Sequence, residues 1–351
     1  MPYKLGIYGP LTEEALATYR KLGIDAVFTS LGGDTESGKA VKRAKEWGLK
    51  VYACTWTFKA PQKNEALGIE NLRGEKMLWD GTGCPNNRVV SENNLAWVRA
   101  VSEDLEVDGI TLDGVRFSSP GSGLAAFLSC FCPYCEEKAE DLEYDLPSIR
   151  ETLKTSSFQD LSALMKSYLG SLTASSRVKE LRRWTNFRRQ CINEHIVNVK
   201  KTVEGLNPKM EVGAATFTPS LAPLVGQNYK DLGQILDFLQ PMVYHRGEGI
   251  ACINHELAKF MEDSFSEEES RARALKDLYD LLGWEDLNPP LNLQELKKDG
   301  LPLTVIKRET ERAKKLMGKD GAKLTPIIFI HNSSPKELKD LIKQAQKLKT
   351  E

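Results

Sequence analysis

The sequence has no excess of either charge: 48 Lys and Arg stand against 49 Asp and Glu, a formal net charge of −1. Nothing global therefore points to nucleic acid or to an anionic membrane surface. It has no run approaching the roughly 20 apolar residues that a membrane-spanning helix needs. The first residues, Met1-Pro2-Tyr3-Lys4-Leu5-Gly6-Ile7-Tyr8, carry neither the basic head nor the long apolar core of a secretory leader. They read as a first strand, and the expected location is cytoplasmic. Seven cysteines, an odd number, do not suggest a disulfide framework. No internal repeat or low-complexity linker divides the chain, and no organic cofactor is expected.

What is present is a chain of 351 residues, 41% hydrophobic and 28% charged. That suits a globular protein large enough for one barrel or two ordinary domains. Short apolar, β-branched runs alternate with amphipathic stretches ended by glycine. Strands are read at Lys4 to Tyr8, Ile24 to Ser30 and Leu49 to Phe58, with helices opening near Thr12 and Ser37. Thr12 is placed to cap the first helix, and Gly23 to stop it. This βαβα rhythm predicts a parallel sheet with right-handed crossovers. Further strands are read at Val107 to Phe117, Met210 to Phe217, Asp237 to His245 and Lys323 to His331, seven in all. The only candidate for an eighth, Leu301 to Ile306, looks more like a helix start. Residues 59–90 form a long loop, of the kind that serves as a lid or binding loop. A long amphipathic helix covers Val178 to Leu206. Its basic stretch from Arg177 to Arg189 reads as a solvated face and not as a nucleic-acid surface, because apolar residues recur within it at helical spacing.

The fourth run is the most informative. Ile110, Leu112 and Val115 suit a buried strand, and Asp113 and Arg116 sit where it gives way to its loop. Ligands of α/β sheets bind outside the carboxyl ends of the strands, so the site is expected around Asp113. Asp108 is read as a turn residue at the strand's start.

The run Asp108-Gly109-Ile110-Thr111-Leu112-Asp113, followed by Val115-Arg116-Phe117, resembles strand four of TIM-barrel glycoside hydrolases and their relatives. Gln240-Pro241-Met242-Val243-Tyr244-His245 resembles a Pro-Met-x-Tyr strand of the same proteins. Trp184 with Phe187-Arg188-Arg189 and Ile192 resembles the helix that follows their strand-four insertion. The resemblance implies a TIM-like (β/α) barrel, incomplete at seven recognisable strands. It would be a single domain over residues 1–351, with a helical insertion at 118–177 and a charged one at 251–320. It implies hydrolysis of a carbohydrate with Asp113 as key carboxylate. Glycoside hydrolysis needs two carboxyl groups about 5–9.5 Å apart, and here the pattern departs from the relatives. Val115 stands where chitinase-like enzymes carry a Glu, no Asn-Glu pair ends strand four, and no Glu ends strand seven. Asp80 and Glu248 are the candidates for the second carboxylate, and Tyr244 for an assisting group. Trp56, Arg116, His245, His331 and Asn332 are candidates for binding a sugar, Trp56 as a stacking platform. A carbohydrate-binding or scaffolding barrel without catalysis is the alternative.

Cys130-Phe131-Cys132-Pro133-Tyr134-Cys135 is a Cys-x-Cys-x-x-Cys run, and Cys84 lies in the long loop at the same end of the sheet. Three thiolates this close suit one tetrahedral Zn²⁺, which needs a fourth ligand. The alternatives are reduced, loosely packed thiols or a disulfide within the cluster. The arrangement resembles the structural zinc site of family 42 β-galactosidases, which implies Cys84, Cys130, Cys132 and Cys135 as ligands. Cys54, Cys191 and Cys252 are read as isolated, buried small hydrophobes, and His195 and His255 as a core and a surface residue.

Overall fold

The computed structural model describes residues 4–169, 175–319, 321–330 and 333–347. Its centre is a seven-stranded parallel sheet of β1 (Gly6–Tyr8), β2 (Ala26–Ser30), β3 (Lys50–Trp56), β6 (Gly109–Asp113), β7 (Glu211–Thr216), β8 (Phe238–Pro241) and β9 (Lys323–Leu324), in that order. A hairpin of β4 (Ile69–Glu70) and β5 (Lys76–Met77) stands apart from it. The strand carrying Asp113 is thus the middle one of seven. Helices α1 (Glu13–Leu22), α2 (Thr35–Glu46) and α3 (Arg88–Asp104) make the first crossovers. Thr12 caps α1, accepting from the Ala15 amide at 3.3 Å, and Gly23 ends it in the left-handed region at φ 71°.

The sheet curls into a half-barrel, and the contacts across its inside show it. Tyr8, Phe28 and Tyr52 share one layer on adjacent strands, with ring centroids 5.1 and 4.8 Å apart. Phe238 of β8 meets Tyr52 at 5.3 Å and Phe28 at 6.3 Å, although β8 neighbours neither strand. The Tyr8 hydroxyl donates to Gln240 at 2.9 Å, joining the edge strand β1 to β8. Gly109 and Gly213 make room for this aromatic layer. A Cβ at Gly109 would lie 2.8 Å from the Tyr52 ring, and one at Gly213 2.1 Å from Phe238.

Between β6 and β7 lie α4 (Leu124–Phe127), α5 (Pro133–Asp141), α6 (Leu146–Lys154), α7 (Phe158–Leu169) and the long α8 (Ser176–Leu206). After β7 comes α9 (Tyr229–Ile235). Between β8 and β9 lie α10 (Ile253–Ser264), α11 (Glu268–Leu282), α12 (Leu293–Asp299) and α13 (Thr304–Met317), and α14 (Pro335–Lys347) follows β9. The main core packs these helices on the outer face of the sheet, with Trp184 and Trp284 among its largest fully buried side chains.

Three expected elements differ in extent. Residues 59–90 are not one loop, for they hold the β4–β5 hairpin and a tight turn at Trp79–Thr82. The last two strands are shorter as regular ladders than the apolar runs that predicted them. Pro241 and Pro326 interrupt them, since proline has no amide to donate. Pairing resumes on either side of Pro326, where the Thr325 amide donates to Leu239 and the Ile327 amide to Pro241, both at 2.8 Å. Leu301 to Ile306 adds no eighth strand: α13 begins at Thr304, and the Leu301 amide donates to the His245 carbonyl at 2.8 Å.

Candidate active site and metal centre

Asp113 ends β6 opposite Trp56, the last residue of β3. One carboxylate oxygen accepts from the Gly114 amide at 2.7 Å. Gly114 has φ +63°, and a Cβ there would press on the Trp56 ring at 3.0 Å, so glycine serves both the turn and the close approach. Burial raises the Asp113 carboxyl above its ordinary range. The Gly114 amide and the Arg116 guanidinium pull it back, and Asp80 pushes it up again. The same carboxylate reaches other groups. Burial first, then Asp113, raises the Tyr244 hydroxyl and pushes the Cys54 thiol up to about 12. Tyr8 is raised by burial, with Cys54, Asp113 and Tyr244 adding to it. Asp113, Tyr244, Tyr8 and Cys54 therefore occupy one electrostatic neighbourhood at the carboxyl end of the sheet.

Asp80 enters it from the long connection after β3. Trp79-Asp80-Gly81-Thr82 is a two-residue hairpin turn in which the Thr82 amide donates to Trp79 at 2.9 Å. Asp80 and Gly81 have φ of +49° and +72°, the type I′ pattern that Asp-Gly favours. Asp80 is exposed at the tip. Thr82 turns inward and accepts from the Trp56 indole at 2.6 Å, which fixes that ring at the rim. Trp79 is buried, 6.3 Å from Trp56, and its ring lies 4.6 Å under the Arg116 guanidinium. Phe217, just past β7, covers the other side of Arg116 at 4.8 Å. Arg116 is only 2% exposed and donates to the Phe117 carbonyl at 3.1 Å. Burial lowers its pKa, while Glu256, Asp113 and Asp80 hold it up.

Not every candidate converges. Glu248 is exposed, and no hydrogen bond or ion pair among the described residues joins it to Asp113. His245 is buried with its Nδ1 unpartnered, and burial and Arg246 push it down to about 4, with Glu337 opposing. Its charged neighbours are thus the adjacent Arg246 and Glu337 of α14, and not Asp113. His331 and Asn332 lie outside the described residues. His195 is buried against Phe58 at 4.8 Å and shares a 2.9 Å bond with Asn94. His255, expected at the surface, is half-buried with Nε2 3.2 Å from the Gly121 carbonyl, because the Ser119–Gly121 turn folds over α10. Asp108 accepts from the Val51 amide at 2.9 Å at the opposite end of the strand.

Three residues of this region carry no motif. Tyr8 and Gln240 form the bond across the half-barrel. Glu256, 1% exposed, accepts from Ser119 Oγ, the Gly121 amide and the Ala251 amide, and so holds the loop beyond Arg116. A glutamate inside the apolar run Ile253 to Met261, and a glutamine in the apolar strand before Pro241, are the signals that mark two of them in the sequence.

The four cysteines meet where the loop beyond the β6 exit packs against the connection after β3. The sulfurs of Cys84, Cys130, Cys132 and Cys135 lie within 4.8 Å of one another and are all buried. Cys84 is 3.5 Å from both Cys132 and Cys135, far beyond the roughly 2.05 Å of a disulfide. Zn–S bonds of about 2.3 Å in a tetrahedron put sulfurs a little under 4 Å apart, so the set fits one such ion. The Glu70 amide donates to Cys130 Sγ at 3.2 Å, and Asn86 Nδ2 lies 3.3 Å from the sulfurs of both Cys135 and Cys191. Cys191 is therefore buried beside the group and not isolated from it. Four sulfur donors leave no open position, so a metal here would hold structure and not bind substrate.

No protein-family model and no curated protein matches this chain. Solved structures do. The glycoside hydrolase domain of PgaB (BpsB) from Bordetella bronchiseptica matches over 97% of this chain and 99% of its own, with TM-score 0.52 and 12% identity. A β-galactosidase from the Antarctic haloarchaeon Halorubrum lacusprofundi matches over 93% of this chain and 52% of its own, with TM-score 0.51 and 13% identity. One from Bacillus circulans sp. alkalophilus matches over 93% and 50%, with TM-score 0.50 and 12% identity. The chain spans about half the length of these β-galactosidases. Its fold is the TIM-barrel-like fold of glycoside hydrolases, in an incomplete, seven-stranded form.

Proposed function

We propose that the protein is a glycoside hydrolase whose reaction centre lies at the carboxyl end of β6, with Asp113 as its key carboxylate. The observation that carries this reading is the convergence of Asp113, Tyr244, Asp80 and Arg116 within one field, at the end of the sheet where α/β barrels bind ligands. Fold contributes by analogy. A carboxyl raised by burial keeps a proton to give to a leaving glycosidic oxygen, so Asp113 suits the general acid. Asp80, solvated at its turn, suits the second carboxylate, which activates water or attacks the sugar. Tyr244, protonated throughout the neutral range, donates a hydrogen bond to the reacting sugar. Arg116 favours the charged form of Asp113 through space and so tempers the effect of burial on it. Trp56 offers its face to the apolar side of a sugar ring. Glu248 is the alternative second carboxylate, and His245, His331 and Asn332 are further candidates for binding the sugar.

We read residues 118–177 and 251–320 as insertions on one barrel-type domain. The four cysteines hold a structural zinc, and reduced thiols fit a cytoplasmic setting. Among the described residues no helix is long and apolar enough to cross a membrane.

The test is a panel of chromogenic glycosides with wild type and Asp113→Asn. Loss of activity by roughly 10²- to 10⁴-fold, the scale of a general acid, supports the assignment, and full activity removes Asp113 from the mechanism. The second reading is a carbohydrate-binding barrel without catalysis. It is favoured by the position of Asp80 at an exposed turn, where Asp-Gly is also explained by turn chemistry alone. Glycan binding by a wild type that cleaves nothing would establish it.

A further inference from the structure

We propose that Arg188 is the counter-charge of the four-cysteine metal centre and the residue that ties that centre to the exits of β6 and β7. The inference rests on the reading of the cysteines as a metal centre and is independent of the glycosidase reading.

Arg188 lies on the inner face of α8 and is 0% exposed. Its guanidinium sits over Trp184 at 4.0 Å, Phe117 at 5.0 Å and Phe127 at 5.7 Å. One terminal nitrogen donates to the Leu224 carbonyl at 2.8 Å and to that of Ser118 at 3.5 Å. The other donates to the carbonyls of Phe127 and Ser129. All four acceptors are neutral main-chain oxygens, and none is a carboxylate. Burial pushes its pKa down to about 9, with Cys130, Cys135 and Cys191 opposing, and the Ser129 carbonyl that it holds leads directly into Cys130. A buried guanidinium with neutral acceptors alone is costly, because taking a full charge out of water is not repaid by carbonyls. A divalent ion with four thiolates carries a net charge of −2, equally buried, and it needs positive neighbours for the same reason. Each explains the other.

The connections run further than charge. The Ser129 carbonyl belongs to the peptide leading into Cys130. Ser118 follows Phe117 at the β6 exit, and the Phe117 amide donates to the Val225 carbonyl at 3.0 Å. Leu224 lies in the loop after β7. One side chain thus holds the cysteine loop, the exit of the Asp113 strand and the exit of the next strand. Gly226 confirms how closely α8 approaches there: a Cβ would fall 2.9 Å from Arg188 backbone and side-chain atoms.

The test uses the full chain, with Co²⁺ and Zn²⁺ as probes, in wild type, Arg188→Lys and Arg188→Gln. Cobalt reports a four-thiolate site by its sulfur-to-metal charge-transfer bands, and chelator competition gives zinc affinity. Partners outside the ligand shell typically matter 10- to 100-fold in metal affinity. The expected result is about tenfold or greater weakening in the glutamine variant, with the lysine variant substantially closer to wild type. Equal affinity in the two variants overturns the counter-charge. Absence of metal binding in wild type defeats the metal centre itself, which is a different failure. A second measurement needs no variant: hydrogen exchange of wild type before and after chelation. Exchange should rise by roughly tenfold at Phe117 and around Leu224 to Gly226 as well as at the cysteine loop. A rise confined to the segments bearing Cys84 and Cys130–Cys135 overturns the tie.

Discussion

The two sides of the β6 exit are built in opposite ways. On one side, four cysteines are closed around a point, buried, with every donor position filled and supported by Glu70 and Asn86. On the other, Asp113 stands half-buried with Tyr244 and Arg116 near it, and its one coupled carboxylate, Asp80, stands on an exposed turn. Three of the four cysteines come from six consecutive residues, so their geometry is set by one short loop. The acidic cluster draws on β1, β6, the turn at Trp79–Thr82 and the segment after β8, so its geometry depends on the whole sheet. A metal centre built locally tolerates drift elsewhere in the fold. A reaction centre assembled from distant strands does not, because misplacement of a reacting group by about 1 Å can cost 10²-fold.

The largest effect expected from breaking this contrast is on the closed side. Cys132→Ala should lower stability by about 4 kcal/mol or more, as loss of a metal site does, and chelation of wild type should have a similar effect. Thermal unfolding measures both, and a variant that melts with the wild type would make the cysteines an ordinary packed cluster. The buried side of α8 should also respond to pH. Burial pushes His195 down to about 4 from an ordinary 6.5. The unfolded chain takes up that proton near 6.5 and the folded one only near 4, so stability falls as pH drops through this window. A shift of that size corresponds to about 3 kcal/mol in all. His245 adds a slope of the same sign, so His195→Gln should remove part of the pH dependence of unfolding measured between pH 7 and 4. An unchanged slope would mean that His195 stays solvated.

On the open side, Asp80→Asn should lower glycoside turnover by roughly 10²-fold while leaving the melting temperature nearly unchanged, since Asn also accepts a left-handed turn. Unaltered turnover would return Asp80 to turn chemistry. Trp56→Ala should raise KM by about tenfold with a smaller effect on kcat, the pattern of a lost stacking platform. The smallest effect belongs to Glu248→Gln, expected to stay within about twofold in every assay. A large loss there would move the second carboxylate to the segment after β8.

Much of the frame was legible in the sequence because it follows from periodicity and glycine punctuation. All seven strands, the capped first helix, α8 and the placement of Asp113 at a strand end can be read from spacing alone. The Cys-x-Cys-x-x-Cys run was equally plain, since its chemistry is local. What could not be read depends on which side chains the curl brings together. Tyr8 and Gln240 are 232 residues apart, and no spacing rule relates them. His245 follows Tyr244 directly, yet its ring is surrounded by different charges, for neighbouring residues of an extended segment face opposite ways. Arg188 was visible as part of a basic amphipathic helix and of a resembling helix motif, but not as a buried charge. A buried arginine on an apolar face looks like a solvated one until its surroundings are known.

The register of the sheet has a consequence for how the chain finds its fold. Gly6 pairs with Ala26 and Ala26 with Lys50, but Tyr52 pairs with Gly109, and Gly109 with Glu211. The middle strand is joined to its second neighbour across an interval about five times that of the first two strands. Each doubling of a loop adds about 0.6 kcal/mol of closure entropy, so this pairing starts roughly 1.5 kcal/mol behind the early ones. Cys84 precedes β6, and Cys130, Cys132 and Cys135 follow it. An ion held by all four would pin the two ends of the segment that carries β6, yet it would leave β6 as far along the chain from β7 as before. Of these four pairings, the one between β6 and β7, which seats the Asp113 strand in the middle of the sheet, is therefore expected to form last.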